Sequence, residues 1–223
     1  MSETHIAIIP ARAASKTIPN KNLQKVGGLN LVERAIDVCC EAKFFSEVIL
    51  TTDIPYFIES ECRATVRPRN SDLCTDDALM WDVIKDVIGF AELRPHHFLW
   101  LIQPTSPFRE VGHFNQVRHL IQESPDCSLI SVSHVGAFHP DRMYTVKNNC
   151  LHWMNKPMRW ENKQSLSPIY IRNGAFYVSS VGRLLQYESF DRPRCIPFFM
   201  FDKSAINIDS GYDLILAKAL ANG

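Results

Sequence analysis

Three cations, Arg12, Lys16 and Lys21, crowd a short segment directly after the apolar run His5-Ile6-Ala7-Ile8-Ile9. Arginine offers phosphate or carboxylate oxygens a planar fork of N–H donors, and lysine adds a mobile point charge. Together they can hold a polyanion such as a nucleoside triphosphate. A run of charge can also be nothing more than a solvated surface loop, so the choice depends on what surrounds it. Far downstream, Asn207 and Asp209 stand two apart in Ile206-Asn207-Ile208-Asp209. On an extended strand both would share one face, able to offer oxygen to a hard cation such as Mg²⁺. Asp213 reads instead as a first-turn helix residue favoured by the dipole.

Several other chemistries are excluded. The chain has no G-x-x-x-x-G-K-[ST] loop, and no G-x-G-x-x-G follows the first apolar run, so phosphate binding must use a different loop. The eight histidines form no H-E-x-x-H, the seven cysteines form no C-x-x-C, and G-x-S-x-G is missing. A zinc centre and a nucleophile-elbow hydrolase are therefore not indicated.

The cations need a scaffold. His5 to Ile9 reads as a buried parallel strand, because a short isoleucine-rich run closed by a proline fits one. The basic loop then lies at its carboxyl end, where open α/β sheets bind ligands. Leu29 to Lys43 carries apolar residues near a 3.6-residue period and predicts an amphipathic helix. A strand is expected over Ser46 to Thr52, and Asp53-Ile54-Pro55 fits a helix start with aspartate as cap. Arg63 to Thr75 reads as polar connection. Further helices are expected from Asp76 to about Phe90, Glu110 to Gln122 and Tyr212 to Leu220, with strands at His97 to Ile102, Ser128 to Ser133 and Ala175 to Val178. This alternation predicts a mostly parallel sheet covered on both faces. It breaks between Val135 and Pro168, where Met143–Val146 and Leu151–Met154 flank a turn at residues 147–150. That insertion can be a lid or a dimerisation element.

At 223 residues, 46% of them apolar, the chain suits one domain over 1–223 with the insertion at about 135–168. Lysine plus arginine number 24 and aspartate plus glutamate 24, so no global field favours nucleic acid or an anionic membrane. No apolar run approaches the roughly 18 residues that span a bilayer. The N-terminus shows no secretory pattern, and the cysteines read as reduced thiols, so a cytoplasmic protein is expected.

Three segments, in order, resemble the acylneuraminate cytidylyltransferases, which make CMP-activated sialic acids. Ile9-Pro10-Ala11-Arg12-Ala13-Ala14-Ser15-Lys16-Thr17-Ile18-Pro19-Asn20-Lys21-Asn22 is similar to the family's I-P-A-R-x-x-S-K-x-I/L-P-x-K-N opening. Leu101 to Arg109 and Tyr170 to Val178 resemble two later blocks, and the likeness extends through His139-Pro140, Arg159 to Pro168 and Ile206 to Asp213. It implies a Rossmann-like fold with a small β-rich insertion, and Mg²⁺-dependent transfer of CMP from CTP to the anomeric hydroxyl of a sialic-acid-like 2-keto-3-deoxy sugar acid. The alternatives are an octulosonic acid as acceptor, or a non-catalytic nucleotide- or sugar-binding relative. A homodimer is implied, with the insertion against the partner.

Carried over residue by residue, the resemblance makes Arg12, Lys16 and Lys21 catalytic and gives Ala11, Ser15, Asn22, Arg69 and Asp76 nucleotide contacts. Asp76 has a second reading as an N-cap. Gln103, Thr105, Ser106, Arg109, Gln164, Asn173, Tyr177 and Phe190 become sugar-acid contacts, with Arg172 a further candidate. Arg109 could equally form a surface ion pair, and Tyr177 could belong to the core. Asp209 and Asn207 are left for the metal. The chain departs from the family pattern at Ala13-Ala14, Thr17 and Asn207, the last replacing a carboxylate by a neutral amide.

Overall fold

The computed structural model describes residues 3–155 and 167–221. β1 (His5–Ala11) is buried along its whole length and ends where the basic loop begins. Lys21–Leu23 makes one 3-10 turn, and a short pairing of β2 (Lys25–Val26) with β3 (Leu29–Asn30) leads into α1 (Leu31–Glu41). The Asn30 side chain accepts from Glu33 N, and Glu33 accepts from Asn30 N in return. This reciprocal box satisfies two amides that the helix start would leave unpaired.

β4 (Phe45–Thr52), α2 (Pro55–Glu59), β5 (Thr65–Pro68), α3 (Met80–Phe90), β6 (Phe98–Leu101), α4 (Val111–Glu123) and β7 (Ser128–His134) follow. β8 (Tyr144–Lys147) and β9 (Cys150–Trp153) form the hairpin expected in the insertion. Asn148 and Asn149 both take positive φ, 49° and 59°, which a tight two-residue hairpin turn requires and asparagine tolerates. β10 (Tyr170–Ser180), α5 (Val181–Tyr187), β11 (Cys195–Phe199) and α6 (Gly211–Ala221) complete the chain.

Among the described residues seven strands form one sheet in the order β11-β7-β10-β6-β1-β4-β5. β1 runs parallel to β4 and β6, β4 to β5, and β7 to β11. β10 is antiparallel to both its neighbours, β6 and β7. The alternating side chains of β1 explain its unbroken apolar sequence. Ala7, Ile9 and Ala11 pack in one cluster with Val32, Ile36 and Cys39 of α1 and Phe114 and Val117 of α4. Ile6 and Ile8 face the opposite way, toward Ile84 and Val87 of α3 and Val181 and Leu184 of α5. A strand covered on both faces has no polar side to show.

A third cluster ties the site together. Ile18 of the basic loop and Ile208 pack with Val26, Leu31, Phe108, and Leu214 and Ala217 of α6.

Four expectations are corrected. α3 starts at Met80 with Leu79 at its cap position, so Asp76 caps nothing. α2 starts after Ile54, and the Asp53 carboxylate accepts from Ala13 N at 2.7 Å instead of capping it. Ile206 to Asp209 is irregular and joins no strand. β5, within the stretch expected as connection, is one edge strand, and β11, where no element is expected, is the other. Each carries a proline, Pro68 or Pro197, and an edge tolerates the missing donor that a central strand would not.

Candidate active site

The carboxyl ends of the parallel strands enclose a cavity of about 600 Å³. One end is polar and cationic. Arg12 follows β1, Lys21 and Asn22 stand on the 3-10 turn, Arg69 follows β5, and all four line the cavity. The loop that presents them is pinned from several sides. Asn22 Nδ2 donates to Arg12 O at 2.8 Å, and the Asp53 carboxylate holds Ala13 N. Arg69 Nη2 donates to Thr51 O at 2.8 Å, and burial pushes its guanidinium below its ordinary value. Lys21 Nζ lies 3.2 Å from Ile208 O and 3.4 Å from Asp209 Oδ1. A lysine held by a carbonyl and a carboxylate has a defined position.

Gln103, Pro104 and Thr105 form the floor after β6, and Thr105 O accepts from Ile208 N at 2.8 Å. That bond brings the 206–210 segment across to Lys21. There Asn207 Nδ2 donates to Asp209 Oδ2 at 2.6 Å, while Asn207 Oδ1 is buried with no hydrogen-bond partner. Asp213 accepts from Asp209 N, Ser210 N and Ser210 Oγ, fixing the turn into α6 and holding its own carboxyl below the usual range against the opposing effect of burial. Among the described residues no group of three or more His, Cys, Asp or Glu side chains could hold a metal. An orphaned amide oxygen beside one carboxylate still fits Mg²⁺, which needs few protein ligands when phosphates and water supply the rest.

The other end of the cavity is largely apolar. Trp81 and Ile84 of α3, Leu101, Ile130, Leu184 and Phe190 line it, and Tyr177 packs with Phe190 at 5.6 Å between ring centroids. Burial raises the Tyr177 phenol, Arg172 pulls it the other way and Asp209 adds to the rise, so the hydroxyl stays neutral. Arg172, Glu188, Ser189 and Asp191 supply polar groups at this end. A cationic pocket joined to an apolar one with a few charged groups suits a nucleotide and a second, amphipathic substrate placed end to end.

Eleven of the candidate residues line this cavity: Arg12, Lys21, Asn22, Arg69, Gln103, Thr105, Arg172, Tyr177, Phe190, Asn207 and Asp209. Others do not. Ala11 is buried at the end of β1, and Ser15 lies in the basic loop. Lys16 and Asp76 pair with each other at 2.9 Å beside the cavity, and Asp76 reaches Arg12 at 2.8 Å. Ser106, Arg109 and Asn173 are buried beneath the floor, 1%, 6% and 6% exposed. Arg109 Nη1 donates to Ala175 O, and burial pushes its guanidinium down to about 10. It forms no surface ion pair. Asn173 accepts from Ser131 Oγ and Ala175 N, donates to Ser133 Oγ, and takes a bond on its carbonyl from Ser106 Oγ. Its side chain shapes the strand and does not reach into the cavity. Gln164 lies outside the described residues.

Sequence alone missed Asp53, Trp81, Glu188 and Asp191. Trp81 is a half-buried residue of α3, and helical spacing gives no sign that a given residue reaches a cavity. The Glu188-to-Asp191 turn follows a helix that sequence did not anticipate.

The chain is 27% identical over 216 residues to the N-acylneuraminate cytidylyltransferase of Streptococcus agalactiae serotype III, a match over 94% of this chain and 51% of that protein. It therefore spans about half the length of that relative. With the CMP-N,N'-diacetyllegionaminic acid synthase of Legionella pneumophila it shares 26% identity over 228 residues, covering 96% of this chain and 95% of the other. Among solved structures, CMP:2-keto-3-deoxy-manno-octonic acid synthetase complexed with CTP superposes with a TM-score of 0.68 at 13% identity, covering 99% of both chains. At that identity the likeness shows the fold. The sequence pattern of the cytidylyltransferases matches residues 6–173, a span that runs from β1 through the basic loop, the cavity floor and into β10. The chain belongs to the cytidylyltransferase family.

Proposed function

We propose that this chain transfers CMP from CTP to the anomeric hydroxyl of a sialic-acid-like 2-keto-3-deoxy sugar acid and releases pyrophosphate. The observation that carries this is the two-part cavity. A cationic end built from Arg12, Lys21 and Arg69 opens into an apolar end bearing Arg172, on a chain of the cytidylyltransferase family. Arg69 and Asn22 hold the nucleotide end, and Gln103 and Thr105 lie between the two substrates. Arg172 faces the sugar acid's carboxylate, a task that buried Arg109 cannot reach from beneath the floor.

The anomeric oxygen bonds to the α-phosphorus, the bond from that phosphorus to the β-phosphate bridge breaks, and the hydroxyl proton passes to solvent. Such a transfer depends mainly on positioning and charge neutralisation. Lys21, held between Ile208 O and Asp209, and Arg12 neutralise the charge that builds as pyrophosphate leaves. Asp209 and Asn207 would hold Mg²⁺, which when bound would supply further neutralisation of the phosphate charge. No protein base is assigned.

The test is pyrophosphate release with CTP and Mg²⁺ across sialic, legionaminic, pseudaminic and octulosonic acids, with ATP, GTP and UTP as controls. CTP-dependent release with one nine-carbon acid is expected. Release with octulosonic acid alone moves the acceptor to the eight-carbon class, and tight CTP binding without release from any acid points to a non-catalytic relative.

The same reading includes a homodimer. The β8–β9 hairpin turns Val146 and Leu151 to solvent, 69% and 68% exposed, and a second copy would cover them. Light scattering is expected to give twice the chain mass, and only monomer at working concentration removes the claim.

A further inference from the structure

Two of the three cations that define the basic loop already hold an anion. Arg12 Nη2 lies 2.8 Å from one oxygen of the Asp76 carboxylate, and Lys16 Nζ lies 2.9 Å from the other. Arg12 Nη1 also donates to Thr75 O at 3.1 Å. One carboxylate thus gives each of its oxygens to a different cation, as two non-bridging oxygens of a phosphate would. Asp76 does nothing else that its position in sequence would suggest, since α3 begins four residues later with Leu79 at the cap position. It stands in the irregular segment 74–79, in which Thr75, Asp76 and Asp77 are all exposed. Little packing opposes the movement of such a segment.

We propose that Asp76 is a positioning residue that stands in for a phosphate group. It holds Arg12 and Lys16 together while the site is free of nucleotide and yields both cations when a triphosphate arrives. The inference rests on the assignment of the cationic end to a nucleoside triphosphate.

Two like charges brought together without an anion repel each other, and their side chains would spread over many rotamers. With Asp76 between them they are already gathered. Binding then exchanges one anion for another and need not order two long side chains from scratch. The exchange has a cost: the fraction of molecules with Asp76 withdrawn sets the apparent affinity for phosphate.

The probe is inorganic tripolyphosphate, titrated calorimetrically into the full chain without CTP. Asp76→Asn keeps the shape and removes the charge. It is expected to bind tripolyphosphate about two- to fivefold more tightly than wild type, the range for partly exposed ion pairs. Asp76→Glu, which restores the anion, is expected to return to the wild-type affinity. Equal or weaker binding by Asp76→Asn overturns the proposal, as does failure of both proteins to bind tripolyphosphate. In turnover with CTP, Asp76→Asn is expected to lower KM and kcat together, because the cations gain affinity but lose their placement between cycles. A raised KM also overturns it, since that is what a purely structural role would give.

The parent assignment is read separately. Wild type that binds tripolyphosphate but prefers CTP to no other nucleotide refutes the cytidylyl reading and leaves Asp76 as the placeholder.

Discussion

Lys21 shows how little a residue type says without its contacts. Its side chain is only 18% exposed, and its ammonium is fixed between Ile208 O and Asp209 at the mouth of the cavity. A charge fixed in advance costs no reorganisation when the leaving group develops its own charge. Lys21→Ala is therefore expected to reduce kcat by about 10²- to 10³-fold while sugar-acid affinity changes little. Steady-state kinetics and direct titration of the sugar acid check this, and equal losses in both would count against the role. Asn173 makes the opposite point. An asparagine near a substrate pocket looks like a ligand, yet this one is committed to Ser131, Ser133 and Ala175.

Among the elements, β10 controls the floor of the cavity. Its pairing with β7 shifts register between Arg172 and Tyr177, and Gly174 sits inside the irregularity at φ +79°. A Cβ there would stand 2.7 Å from Gln103 Oε1 and 3.3 Å from Asn207 Oδ1. Alanine would meet both a backbone conformation costing about 1–2 kcal/mol and a clash with two side chains of the site. Gly174→Ala is expected to lower kcat/KM strongly and the melting temperature modestly. Adding Gln103→Gly should recover part of the stability but none of the activity, because it relieves the clash and removes the floor. If Gly174→Ala leaves kcat/KM unchanged, the close approach of β10 to Gln103 does not matter for turnover. The small cluster under α6 acts at the same scale. Each buried isoleucine there contributes about 2 kcal/mol, and Ile18 and Ile208 carry the basic loop and the Asn207–Asp209 segment on one packed unit.

At the scale of the whole molecule, acid stability depends on a residue far from the cavity. His5 is fully buried at the start of β1, its Nδ1 accepts from Trp100 Nε1 at 3.1 Å, and it stacks on Phe98. Burial pushes the imidazole below its ordinary 6.5, with Glu3 opposing in part. The unfolded chain therefore takes up a proton that the folded chain refuses. Stability from this group is complete above about pH 6.5 and is lost as pH falls through the lower, folded value. The wild-type melting temperature should drop more steeply between pH 7 and pH 5 than that of His5→Gln, which keeps an acceptor for Trp100. Parallel curves would show that His5 is not the source. No helix among the described residues is long and apolar enough to cross a membrane.

Local features were legible from the sequence. The β1 run, the capped α1 helix, the α3 stripe and the Asn148-Asn149 turn are set by short-range sterics and periodicity, and each stands close to where its residues predict. The basic loop could be placed for the same reason, because it follows β1 directly. Whether a given side chain enters the cavity was decided by pairings distant in sequence. Arg109 follows the floor loop, but β10 inserts antiparallel between β6 and β7 and offers it the Ala175 carbonyl, so it is buried. The same insertion brings Arg172 and Tyr177 to the cavity. Edge strand β5 is four residues ending in Arg67 and Pro68, and β11 is a short apolar run interrupted by Pro197, so neither alternates as a strand should, and their parallel partners make them strands. The Asp76 contacts belong to the same class: a loop sixty residues downstream meets the basic loop because β4 and β5 stack beside β1. Local propensity specified the pieces, and long-range strand order determined which of their side chains share a site.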